Sequence, residues 1–173
     1  KAVNFGVLYG MGAHGLSWRA GITHYEAKDF IERYFKGFAK VKKYLDETVE
    51  SAREDGYVET LFGRRRYIPE LESGNFQIRN AGERMAINMP VQGTAADLMK
   101  LAMIDVHNQL KEKYKPDQVK MLLQVHDELV LEVKTDLAPE VGKFVKEIME
   151  SVTKLDVPIE VHVDIDKRWG KIK

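Results

Sequence analysis

The stretch Leu122-Leu123-Gln124-Val125-His126-Asp127-Glu128-Leu129-Val130-Leu131-Glu132-Val133 leaves the backbone little choice. Its two apolar, partly β-branched runs are separated by three polar residues, which allows little besides a tight reversal between paired strands. The pattern predicts strands over 119–125 and 129–133 joined by a short turn. Flanking strands fix the directions in which adjacent side chains leave such a turn, so His126, Asp127 and Glu128 sit at a rigid sheet end.

A carboxylate held in this way suits a hard cation. Mg²⁺ takes oxygen ligands, commonly one or two carboxylates completed by substrate phosphates, which makes Asp127 the candidate metal ligand. Charged residues at a hairpin turn are also often simply solvated, and the hairpin alone does not choose between the two.

The remaining chain reads mostly as helix. Residues 1–10 form a short helical segment that ends in glycine, and Gly10, Gly12 and Gly15 predict a glycine-rich link after it. Thr23 with Glu26 three residues later is a capping-box pattern, and residues 26–54 carry helical apolar spacing with a break near Gly37. Gly56 ends that region. Residues 57–62 alternate as a strand, Gly63 and the arginines turn the chain, and Tyr67-Ile68-Pro69 returns. A long helical pattern covers 75–113, with a kink or boundary expected at Pro90, because proline removes a helix hydrogen bond and clashes with the preceding turn. After the hairpin, 138–152 has helical period and 159–165 alternates as a final strand. Antiparallel strands with helices on one face predict an α+β fold.

Composition sets the outer limits. With 44% hydrophobic and 31% charged residues, the 173-residue chain has the make-up of a globular protein, without an apolar run of membrane-spanning length. Cysteine is absent, which excludes disulfides and thiolate metal sites and fits a cytoplasmic setting. Basic and acidic residues balance at 27 each, unlike a protein that coats nucleic acid. Arg64, Arg65 and Arg66 form a local basic patch that reads first as a solvated turn.

Two further constellations carry chemistry. Lys1, Phe5 and Tyr9 follow each other at four-residue steps on one helical face, spanning about 12 Å. A lysine can pair with phosphate oxygens there while the rings pack against a sugar and base, although an amphipathic helix with core aromatics has the same spacing. Arg84, Asn88 and Gln92 repeat that spacing on the long helix. Such a stripe can donate hydrogen bonds into a DNA minor groove, where purine N3 and pyrimidine O2 accept at every base pair, although Pro90 disturbs its phase and a solvated helix face has the same pattern.

Taken together, these strings resemble a known family. Lys1-Ala2-Val3-Asn4-Phe5-Gly6-Val7-Leu8-Tyr9-Gly10 is similar to motif B of the family A DNA polymerases, and Gln124-Val125-His126-Asp127-Glu128 to their motif C. Thr60-Leu61-Phe62-Gly63-Arg64-Arg65-Arg66 and Met89-Pro90-Val91-Gln92-Gly93-Thr94-Ala95-Ala96-Asp97 lie between them and are also family-like. The resemblance covers essentially the whole chain.

The resemblance implies a fingers segment over 1–56 and a palm segment over 57–173, with an antiparallel sheet packed on helices. It implies that Lys1 contacts the triphosphate of an incoming dNTP, Phe5 its sugar and base, and Tyr9 the templating base. Arg84, Asn88, Gln92 and His126 would face the primer–template DNA. Asp127 would be one of two aspartates holding a pair of Mg²⁺ ions (Mn²⁺ substituting), with Glu128 its less critical neighbour. The implied reaction is two-metal addition of dNTPs to a primer 3′ end. Motif A, which carries the other aspartate, is not found in these residues. The expectation is therefore the C-terminal part of a polymerase, inactive alone and completed in cis or by a complementary chain. The single-subunit phage-type RNA polymerases, a related reading, usually have serine after the His-Asp pair, where this chain has Glu128.

Overall fold

The computed structural model describes residues 2–171. Among them are six α-helices and two two-stranded antiparallel sheets, an α+β architecture as expected. The chain divides into two compact units, 1–94 and 95–173.

The first unit opens with α1 (Ala2–Leu8), α2 (Ala13–Ala20), α3 (His24–Gly37) and α4 (Ala39–Asp55). The glycine-rich link forms over 9–12 with Gly10 and Gly12, but it stops short of Gly15, which lies inside α2. Gly6 and Gly15 serve packing: a Cβ on Gly6 would lie 2.5 Å from the Met11 methyl, and one on Gly15 would lie 3.1 Å from Met11 Cγ. With both Cβ atoms absent, Met11 joins Val7, Leu16 and Ala27 in one core, and that burial outweighs the poor helix propensity of glycine. Thr23 caps α3 as the sequence predicts. Its hydroxyl accepts from the Glu26 amide, and the Glu26 carboxylate accepts in return from the Thr23 amide. The break near Gly37 falls between α3 and α4, and Gly56 closes α4 in the left-handed conformation at φ 77°.

Next come β1 (Tyr57–Glu59) and β2 (Arg65–Tyr67), paired antiparallel with Val58 opposite Arg66. A 3₁₀ turn at Pro69–Glu72 leads into α5 (Phe76–Lys113). Ala52, Val58, Ile68, Leu71, Ala86 and Met89 bury together, holding the hairpin between α4 and the first half of α5. Of the kink or boundary expected at Pro90, the boundary does not form: α5 runs Phe76–Lys113 with Pro90 inside it. The Pro90 carbonyl is doubly useful there, because the Thr94 hydroxyl also donates to it.

In the second unit, β3 (Val119–Val125) pairs with β4 (Glu128–Val133), and α6 (Ala138–Glu150) follows. Val106 and Leu110 of α5 bury with Val119, Val141, Val145 and Ile148. The strand expected over 159–165 does not form. That segment has no strand partner among the described residues. It runs instead along α6, with the Val161 amide donating to Glu150 and Val163 lying 2.9 Å from where a Gly142 Cβ would be. Asp164 and Asp166, on one side of this segment by alternation, are exposed.

Candidate nucleotide and metal site

The carboxylate hairpin forms with a two-residue turn. Val125 pairs with Glu128, which leaves His126 and Asp127 at the tip. Turns this short need positive φ, and His126 has it at 54°, the sole non-glycine example among the described residues. The Gln124 side-chain amide donates to the His126 carbonyl and braces the turn. Asp127 is exposed and makes no hydrogen bond or ion pair with a described residue. Its oxygens are open to solvent, and the ladder behind fixes the backbone that carries them. Glu128 begins β4, also exposed. Among the described residues no cluster of three His, Cys, Asp or Glu is placed to hold a metal ion. A register shift between Met121 and Leu123 bulges β3 and turns Leu122 and Leu123 outward, 52% and 48% exposed.

In the first unit, Lys1 lies outside the described residues. Phe5 and Tyr9 stack on each other with centroids 6.2 Å apart and rings 12° from parallel. Val7 anchors the opposite side of α1 in the core at 2% exposure, while Phe5 stays 47% exposed. The aromatic pair is therefore a surface platform and not part of the core. Just beyond it, Gly10 takes φ 83° and packs on Arg84.

Asn88 and Gln92, one and two turns after Arg84, line an open cleft of about 490 Å³ together with Arg64, Arg65 and Arg66. Sequence distance hid this proximity: the arginine triplet reads as a solvated turn until β1 and β2 fold it against α5. Arg65 donates through Nε to Glu59 and lies 4.5 Å over the Tyr57 ring; the Glu59 bond chiefly pushes its pKa above the ordinary arginine value. Arg66 meets the Met85 sulfur at 3.6 Å. The side-chain oxygen of Asn88 is buried with no hydrogen-bond partner among the described residues.

The family model for DNA polymerase family A matches residues 1–171. The chain belongs to that family. It is 57% identical over its full length to the thermostable DNA polymerase I of Thermus filiformis and 56% identical to that of Thermus aquaticus. With DNA polymerase I of Bacillus subtilis the identity is 49%. The chain spans about a fifth of the length of these curated relatives. Among solved structures, the POL domain of Pol1 from M. smegmatis, in complex with DNA primer-template and dNTP, matches with a TM-score of 0.88 and 46% identity. That match covers 94% of this chain and 28% of the other.

Proposed function

We propose that the chain is the nucleotide- and metal-handling part of a DNA-directed DNA polymerase, with 1–56 as its fingers segment and 57–173 as its palm segment. The observation that carries this reading is Asp127: an unpaired carboxylate on a braced two-residue turn, within a chain whose family is shown along 1–171. The matched Pol1 domain was solved with primer-template DNA and dNTP, which supports the same partners here. The bacterial relatives favour a cytoplasmic enzyme; no helix among the described residues is long and apolar enough to cross a membrane.

Each residue then has a task. Lys1 neutralises the triphosphate, and the Phe5–Tyr9 platform packs against the sugar and bases of the nascent pair. Arg84, Asn88, Gln92 and His126 hold the primer–template near its growing end. Gln92 and Arg84 donate to groove acceptors common to all base pairs, so geometry is read without sequence. Asp127 supplies carboxylate oxygens to Mg²⁺, and Glu128 adds negative charge beside it. When bound, paired metal ions lower the pKa of the primer 3′-hydroxyl and offset the charge of the triphosphate and departing pyrophosphate. The protein's own share is positioning and electrostatics. The second metal-binding carboxylate comes from residues outside this chain, in cis or on a partner.

The test is to replace the matching fifth of Thermus aquaticus DNA polymerase I with residues 1–173 and measure primer extension with Mg²⁺ and dNTPs. Extension is expected, with loss of at least about a hundredfold on Asp127→Ala, the scale of removing one fixed electrostatic partner. A folded graft that extends equally well with Asp127→Ala overturns the reading. Extension by the 173-residue chain alone overturns the requirement for outside residues.

A further inference from the structure

Strand pairing decides where Arg66 points. It stands opposite Val58, and residues opposite each other on paired strands leave on the same face. That face is the one on which Val58 buries with Ala86 and Met89 of α5. There Arg66 meets Met85, whose stem packs on the same core and whose sulfur accepts from a terminal guanidinium nitrogen at 3.6 Å. Both residues line the open cleft that holds Asn88 and Gln92. Among the described residues Arg66 has no carboxylate in salt-bridge range, whereas Arg65 beside it is engaged by Glu59. No other methionine sulfur among them accepts a hydrogen bond.

This pairing is sensitive to the oxidation state of the sulfur. A thioether is a weak acceptor, so it holds a guanidinium loosely and leaves it able to pair with a phosphate. Hydrogen peroxide changes the acceptor. The sulfur attacks one peroxide oxygen, the S–O bond forms as the O–O bond breaks, and the other oxygen takes the displaced proton and leaves as water. Sulfur loses two electrons and peroxide gains them. The product is methionine sulfoxide, polar where the thioether was apolar and returned to it by sulfoxide reductases. Its oxygen, formed beside Arg66, accepts a charge-assisted hydrogen bond, roughly twice as strong as a neutral one. Met85 is only partly buried, while Met89 on the next turn is 9% exposed.

We propose that Met85 is an oxidation site for hydrogen peroxide, and that its sulfoxide captures Arg66 and withdraws that charge from the phosphates of bound DNA. The inference rests on the polymerase reading above, which places primer–template along this cleft, and adds a reversible control to it.

The 173-residue chain is treated with hydrogen peroxide, desalted, and mapped by peptide mass spectrometry. Met85 is expected to gain oxygen ahead of Met89. Binding of labelled primer–template is then followed by anisotropy over a range of salt concentrations. Oxidation should lower the slope of log affinity against log salt by about one, the signature of one lost phosphate contact. Met85→Leu, whatever its own slope, should not change with peroxide, and a sulfoxide reductase should restore the untreated slope in the wild-type chain. Arg66→Ala should start about one lower and fall no further. Met85 left unoxidised while Met89 reacts, an unchanged slope with Met85 fully oxidised, or the same fall in Met85→Leu or Arg66→Ala each overturns the proposal. Absence of DNA binding before oxidation overturns it as well, and extension by the grafted enzyme then tells whether the polymerase reading falls with it.

Discussion

Gly10 and Arg84 are in such close contact that a Cβ on Gly10 would lie 3.1 Å from Arg84 Cγ. This packing joins the end of the Phe5–Tyr9 helix to the first residue of the polar stripe on α5. Gly10→Ala therefore meets two obstacles, a φ of 83° that L side chains resist and a neighbour that must yield. The expected cost in stability is about 1–2 kcal/mol, read as a lower denaturant midpoint. In the grafted enzyme, extension falls beyond what the stability loss explains, because Arg84 and Tyr9 shift together. A variant with wild-type midpoint and rate would show that the contact is not maintained.

A similar close approach fixes the arginine turn. A Cβ on Gly93 would stand 2.7 Å from the Thr60 methyl, and Thr60 is 5% exposed. The Leu61 amide donates to Thr94, so loop and helix are also hydrogen-bonded. Gly93→Ala overpacks this contact and is expected to destabilise by about 1–3 kcal/mol. It also opens the cleft of Arg64, Arg66, Asn88 and Gln92, so affinity for primer–template should fall in a filter or anisotropy assay.

Phe5 is 47% exposed and stacked on Tyr9, so a hydroxyl added at its ring edge costs little in folding. Family resemblance ties phenylalanine at this position to discrimination against dideoxynucleotides. Phe5→Tyr should leave the unfolding midpoint unchanged and relax that discrimination by about tenfold or more, the scale of one hydrogen bond at a selective site. Competition between dNTP and ddNTP in single-nucleotide extension measures it.

Glu140 links two partners in the second unit, and its titration gives a signed pH effect. Hydrogen bonds from Tyr114 and then Lys113 hold its carboxyl below the ordinary value. Its contribution to stability is thus complete above the usual carboxylate range and is lost as pH falls through the depressed folded value. Lys113 is pushed upward, first by Glu140 and then by Tyr114, so its contribution is complete below the ordinary lysine value and is lost as pH rises through the raised folded one. Glu140→Gln should flatten both the acid and alkaline limbs of an unfolding-midpoint profile. Unchanged limbs would mean that these bonds do not persist in solution.

Local chemistry was legible where a few adjacent residues decide the outcome. The Thr23–Glu26 cap, the Gly56 helix stop and the hairpin at His126 and Asp127 all follow from side chains within a turn of each other. Misreadings occurred where a distant partner decided. Gly10 and Gly12 do lie in the link between α1 and α2, whereas Gly15 lies inside α2, which buries Leu16 in a core shared with Val7 and Ala27 of other helices. Alternation over 159–165 showed which side chains share a side, but no adjacent strand exists for it to pair with among the described residues.

The sequence by itself determined the family, the α+β class and the identity of the carboxylate at the hairpin tip. Each depends on residue type at short spacing, which the covalent chain already specifies. Tertiary structure alone decided that Arg64–Arg66 share a cleft with Asn88 and Gln92, that α5 continues through Pro90, and that Trp18 faces solvent. These outcomes depend on which apolar surfaces bury against each other, and burial is a free energy of the whole packed unit that no local pattern contains.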